Sequence, residues 1–266
     1  MPSTDKAPLS GRRVVVTRSR EQASVLSERL GGLGAEVLEL PVVRVSKEIS
    51  KEVLADVMLE FASYDWIVFT SANGVRFFFD EFLRLFDDIR SLGFIRIACV
   101  GDGTSRYLTS DLHLHAECQP ERATSEALAD ALIATDSLDN AKVLVITGNL
   151  NRDTLVQKLE EARAIVDCLQ VYKTEKIDLA GSAAAADFRA RGADAILFAS
   201  SSSAESFADQ AAALSLGPDA KRPLAGSIGP MTSATLRKCG IAVDFEAGKP
   251  GFEGLIEALV KKIGPK

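Results

Sequence analysis

Small hydroxyl and glycine residues recur in this chain wherever a short apolar run ends. They read Thr17-Arg18-Ser19, Thr70-Ser71-Ala72-Asn73-Gly74, Gly101-Asp102-Gly103-Thr104, Thr147-Gly148-Asn149, Ser200–Ser203 and Gly229-Pro230-Met231-Thr232. Each cluster leads into a segment with helical spacing, so each is read as the entry to a helix. A helix N-terminus carries unpaired N–H groups and a partial positive charge, which suits a carboxylate or a phosphate. Glycine there lets the backbone approach a ligand closely. Capping alone explains any single Ser or Thr, but matched sets of such loops point to a ligand with several negative charges. Arg18 and Arg152 fit the same chemistry. Each falls in a first helical turn, where a cation is unfavourable unless an anion joins it; a solvated surface arginine is the alternative.

Other chemistries lack their residues. The first strand is followed by Thr17-Arg18-Ser19-Arg20 and not by GxGxxG, and no GxxxxGK[ST] occurs. The two histidines, His113 and His115, fall in Leu112–Glu117, read as a strand, so no Ser-His-Asp set is available. Cys99, Cys118, Cys168 and Cys239 have neither CxxC nor metal spacing and read as buried free thiols, with no metal site expected. Thirty-one basic against 37 acidic residues leave a net charge of −6, which argues against nucleic acid as a partner. No apolar run approaches the ~20 residues of a membrane span, and the first dozen residues have no apolar signal core. A cytoplasmic protein, monomeric by default, is the expectation.

The elements that must position these loops come twice. Val14–Thr17 answers Leu144–Thr147, Trp66–Ser71 answers Ala195–Ser200, Ala98–Thr104 answers Gly226–Thr232, and Ser125–Ile133 answers Phe252–Val260. Two diverged copies of about 128 residues lie in tandem. In the first copy, short β-branched runs at Arg13–Thr17, Glu36–Leu40, Trp66–Thr70, Ile95–Val100 and Leu112–Glu117 read as buried parallel strands. Helical patterns separate them. Ser19 with Gln22 reads as a capping box ahead of Ala23–Leu33, and Ser202 with Glu205 as another ahead of Ala204–Leu214. The fold class is therefore α/β, with two doubly wound parallel-sheet domains of the flavodoxin-like kind. With 266 residues at about 150 per domain, two domains also suit the length. In such sheets the ligand lies beyond the carboxyl ends of the strands.

Taken in order, these residues resemble the uroporphyrinogen-III synthase family. They are Thr17-Arg18, the Phe69–Val75 run, Val100-Gly101 with Thr104, Thr124–Leu128, Gly148 with Arg152 and Leu155, Val171-Tyr172, and Ile228-Gly229 with Thr232, spanning roughly Gly11 to Val260. The resemblance implies an enzyme of tetrapyrrole synthesis that closes the linear hydroxymethylbilane, inverting its last ring and releasing water through a spiro intermediate. It implies no metal or organic cofactor. It also implies two α/β domains joined by a two-stranded linker, with the active site in the cleft between them. On that layout, residues 1–42 and 176–266 form one domain and 46–170 the other, with crossovers at 41–46 and 170–176. The substrate is a polycarboxylate, and many helix N-termini can hold one without a strongly basic protein.

Tyr172 is the candidate catalytic residue. Its counterpart in the first copy is Val43, so the shared fold does not require a phenol there, and the resemblance implies that it assists departure of the hydroxyl. A crossover tyrosine that merely packs is the alternative. Thr104 and Thr232 hold matching places, and the resemblance puts them beside the substrate. Thr17, Arg18, Thr70, Ser71, Asn73, Gly101, Gly148, Arg152, Ser200, Ser201 and Gly229 complete the expected binding set. Two residues depart from the family pattern: Met231 stands where a small hydroxyl residue is common, and Phe252 where a threonine is. The Phe77-Phe78-Phe79 run with Phe82 and Phe86 reads as helix core. A two-lobed binding protein that closes on an anionic ligand without turning it over is the competing reading.

Overall fold

A computed structural model describes residues 7–18, 20–151, 153–249 and 251–265, with the side chains of 20–24 left aside. Strands and helices alternate along the chain. The order begins β1 (Arg13–Val16), α1 (Arg20–Gly32), β2 (Glu36–Glu39), β3 (Val43–Lys47), α2 (Lys51–Leu59), β4 (Trp66–Phe69) and α3 (Ala72–Phe86). It continues with β5 (Arg96–Cys99), α4 (Asp102–Leu112), α5 (Ser125–Ile133), β6 (Lys142–Gly148), α6 (Thr154–Glu161) and β7 (Ile165–Lys176). It closes with α7 (Ala183–Arg191), β8 (Ala195–Phe198), α8 (Ser201–Asp209), β9 (Leu224–Ser227), α9 (Pro230–Lys238), β10 (Phe245–Glu246) and α10 (Phe252–Ile263). The chain divides into two compact units, residues 1–44 with 175–266, and residues 45–174.

The first unit holds a five-stranded sheet in the order β10-β9-β8-β1-β2, with all four neighbouring pairs parallel. Neighbouring residues of β1 face opposite ways. Val15 joins Ile196 and Phe198 in one apolar cluster, while Val14 and Val16 join Ala195, Leu197, Leu255 and Leu259 in another. Both faces are thus buried, which is why these strands read as unbroken apolar runs. Each fully buried Val, Leu or Phe contributes roughly 1.5–3 kcal/mol.

The second unit repeats that plan. Its sheet runs β3-β7-β6-β4-β5, and Ile67 and Phe69 face one cluster while Trp66 and Val68 face the other. Helix α3 lays Val75, Phe78, Phe79 and Phe82 into the first of these, the i, i+3, i+4, i+7 stripe of an amphipathic helix. Ignoring β3, the order β7-β6-β4-β5 matches β2-β1-β8-β9. Each sheet therefore takes its first two strands from one sequence copy and the rest from the other. The chain changes unit within β3 and within β7, which pair with each other. Glu48 N–H donates to Val171 O and Ile177 N–H to Val42 O, so these two strands run antiparallel.

Several local expectations need correction. Leu112–Glu117 is not a strand. His113 closes α4 in the left-handed region at φ 56°, and only an isolated Ala98–Cys118 bridge follows. The helix read as starting from a Ser202–Glu205 box is capped instead by Ser200, whose Oγ accepts from Ser203 N–H at 3.1 Å, and it ends at Asp209. Of the cysteines, Cys99 and Cys118 are buried, Cys239 is half-buried and Cys168 is exposed. The Ser19–Gln22 box rests on side chains outside the described residues. Among the described residues no helix is long and apolar enough to cross a membrane, and no cluster of three or more His, Cys, Asp or Glu could hold a metal ion.

Candidate functional site

At the carboxyl end of each sheet the loops repeat one another closely. In the second unit, β4 runs into α3 through Ser71, in extended conformation at φ −164°, ψ 157°, and Ser71 Oγ accepts from Gly74 N–H at 3.0 Å. In the first unit, β8 runs into α8 through Ser200 at φ −163°, ψ 156° with the equivalent bond. The next strand in each sheet ends differently. Gly101 caps α4 and Gly229 caps α9, both in extended conformation, and neither helix has a side-chain cap bond. A glycine cap offers the first turn no side-chain acceptor, the condition under which a helix end takes up an anion. At α9, however, Pro230 has no N–H and Gly229 N–H donates to Ser227 Oγ at 3.2 Å. Gly101 has a further reason to lack a side chain, since a Cβ there would lie 2.7 Å from the Ala123 methyl.

Thr104 and Thr232 stand at the third position of α4 and α9 and are buried. Neither caps its helix, so the plain capping role does not apply to them. Asn73 and Ser201 lie in the first turns of α3 and α8, half-buried. Thr17 and Thr70 are engaged within the fold. Thr17 Oγ1 donates to Leu197 O at 2.9 Å and Thr70 Oγ1 to Ile146 O at 3.1 Å, each tying one strand end to its neighbour. Arg152 lies outside the described residues.

Tyr172 sits on β7 beside the end of β6. The ladder between them slips at Thr147/Gly148, so that Thr147 pairs with Gln170 but Gly148 pairs with Tyr172. This irregularity re-aims the tyrosine, a common effect of a bulge near a site. A Cβ on Gly148 would lie 2.4 Å from two ring carbons of Tyr172, so glycine is required for the ring to lie there at all. Beyond the slip, Asn149 carries the pairing on. Its N–H donates to Tyr172 O at 3.3 Å, and its side-chain amide exchanges bonds with the Thr174 backbone. At the phenol tip, Ser71 Oγ donates to Tyr172 Oη at 3.0 Å. Burial pushes the Tyr172 pKa up, opposed by the Ser71 bond. The sequence brings Tyr172, Ser71 and Gly148 under suspicion separately; the fold brings them into contact. Asn149 is no site candidate in the sequence reading, and Phe77, whose ring lies against Tyr172, is read there only as helix core. Only non-local contacts reveal them, the β6–β7 pairing for Asn149 and the packing of α3 on β7 for Phe77.

In the first unit, Arg18 follows β1 with its guanidinium 4.9 Å from the centre of the Phe252 ring. Burial pushes its pKa down to about 10. The cation stays charged at neutral pH. The Phe252 ring offers that cation a π face. Met231 is exposed on the first turn of α9.

Two sheets of mainly parallel strands, each ending in one serine-capped and one glycine-capped helix, define a doubly wound α/β protein. Residues 24–257 match the family described as uroporphyrinogen-III synthase HemD. The chain belongs to the uroporphyrinogen-III synthase family, whose reaction is the cyclisation of hydroxymethylbilane. A uroporphyrinogen-III synthase from Synechococcus elongatus is 28% identical over 261 residues, covering 95% of this chain and 96% of that protein. The porphyrin biosynthesis protein HemD from Ruminiclostridium josui is 32% identical over 173 residues, 65% of this chain but 34% of that longer protein. Among solved structures, a mutant uroporphyrinogen III synthase from Thermus thermophilus has a TM-score of 0.65 at 18% identity, with 94% of this chain and 98% of that one covered. The Helicobacter pylori enzyme has a TM-score of 0.61 at 18% identity, with 94% and 99% covered. At such identities the structural likeness speaks for the fold, α/β with two flavodoxin-like parts.

Proposed function

We propose that this chain closes hydroxymethylbilane to uroporphyrinogen III, inverting the last pyrrole ring through a spiro intermediate, in a cleft between its two domains. The observation that carries this reading is the seat of Tyr172. Gly74 N–H donates to Ser71 Oγ, and Ser71 donates to Tyr172 Oη, so the phenol's own proton is left to point at a ligand. Burial keeps that phenol neutral, as a hydrogen-bond donor must be. In this role Tyr172 donates to the departing hydroxyl, which leaves as water. The last ring then bonds through its substituted α-carbon to the cationic methylene left behind, giving the spiro centre. That carbon's original bond to its bridging methylene breaks, and the freed methylene bonds to the ring's unsubstituted α-carbon. The proton that carbon carried is shed as aromaticity is restored.

The acetate and propionate groups fall to the loops. Carboxylates fall to the glycine-capped first turns of α4 and α9, at Gly101 and Gly229, flanked by Thr104, Thr232, Asn73 and Ser201. Arg18 adds positive charge beside the strand ends of the first unit. Ser71 and Gly148 hold Tyr172, Ser200 shapes the matching loop, and Thr17 and Thr70 fix the strand ends below. Supplying freshly generated hydroxymethylbilane, oxidising the products and separating the porphyrin isomers tests the reading. A type III fraction that rises with added protein supports it. Type I alone, at the protein-free rate, would leave a two-lobed binding protein.

A further inference from the structure

We propose that Phe77 is a positioning residue for Tyr172, with Arg76 closing the seat over it; this rests on the reading of Tyr172 just given. Phe77 belongs to the run Phe77-Phe78-Phe79-Phe82-Phe86, yet it behaves unlike the others. Phe78 and Phe79 pack at 5.3 Å between ring centres, Phe78 and Phe82 at 5.7 Å, and Phe82 and Phe86 at 4.8 Å. Among the described residues Phe77 pairs with none of them. Its ring lies against Tyr172 instead, 6.1 Å between centres and 26° from parallel.

The helix explains the difference. Successive positions turn by about 100°, which sets Phe77 roughly 200° round from Val75 and away from the stripe of Phe78, Phe79 and Phe82. Phe77 lies off that stripe, yet it is only 6% exposed and belongs to the same buried cluster. Tyr172 covers it, and so does the Arg76 guanidinium, 4.3 Å from the ring centre. Tyr172 is therefore held on three sides: the Gly148 backbone, the Phe77 ring, and Ser71 Oγ at its tip. Without the aromatic face, the phenol ring can swing while its strand stays in place.

Phe77→Leu and Phe77→Met keep an apolar side chain and remove that face. Each is expected to lower kcat by about ten- to a hundredfold with KM little changed, as misplacement of a reacting group does. Phe77→Tyr restores the ring and most of the rate. In the Tyr172→Phe background, Phe77→Leu adds almost no further loss, because no phenol remains to be placed. Multiplying losses in the double variant would mark a merely structural role and overturn the proposal. Wild-type kcat in both folded Phe77 variants overturns it while leaving the reading of Tyr172 intact. Wild-type kcat in Tyr172→Phe alone overturns both.

Discussion

Gly148 shows how much one missing methyl can decide. The Tyr172 ring occupies the place a side chain at 148 would take, so Gly148→Ala displaces the phenol from Ser71 and disturbs the slipped ladder. Its expected outcome is a fall in kcat on the order of tenfold or more, with far-ultraviolet circular dichroism retained. Unchanged kcat in the folded variant would mean that the ring does not need this seat. Thr17 lies at the opposite pole. Fully buried and bonded to Leu197 O, it ties β1 to β8, so Thr17→Val is expected to cost about 1 kcal/mol in denaturant unfolding. A midpoint equal to wild type would remove that tie from the account. The sequence names both residues as site candidates for the same reason, small residues at a strand end. It cannot separate them, because the separation depends on Leu197 and Tyr172, which lie far along the chain.

Element by element, the strands were legible where apolar β-branched runs met turn residues. Arg13–Thr17, Glu36–Leu40, Trp66–Thr70 and Ile95–Val100 lie within a residue or so of β1, β2, β4 and β5. Leu112–Glu117 misled because its alternation is real, but His113 closes α4 and only one bridge follows. The fifth strand is short in the other unit too, where β10 has two residues. Both serine caps were present in the sequence, but at α8 the box motif favoured Ser202 over Ser200. The cap is fixed by where β8 stops, at Phe198, and not by the local motif. The paired caps permit a controlled comparison. Ser71→Ala and Ser200→Ala each remove one cap bond, worth about 1 kcal/mol, and equal destabilisation is expected. Only Ser71→Ala also deprives Tyr172 of its partner, so kcat should fall in that variant well beyond the Ser200→Ala effect. Equal kcat in the two would sever the link between α3 and the phenol.

On the scale of the whole molecule, the repeat in the sequence and the division into units do not coincide. Strands of both copies enter each sheet, a fact no local pattern can reveal, since it depends on which strand β1 and β6 choose as neighbours. The chain's tyrosines give a global readout of the packing. Burial is the first cause that raises the pKa of each of Tyr64, Tyr107 and Tyr172, and these are all the tyrosines in the chain. The folded state therefore holds these protons more tightly than the unfolded one. Their contribution to stability is complete below about pH 10 and is lost as pH rises through the raised values. Tyrosinate absorbance of the folded protein should develop at higher pH than that of the protein in denaturant; coincident curves would contradict the burial of these rings. The central claim is that Tyr172 serves closure of the tetrapyrrole, and one measurement meets it directly. Wild type and Tyr172→Phe are compared for the initial rate of type III product from hydroxymethylbilane, at equal concentrations of folded protein. The account predicts a rate about a hundredfold lower in the variant, the range of a lost proton donor. A wild-type rate from Tyr172→Phe would contradict it.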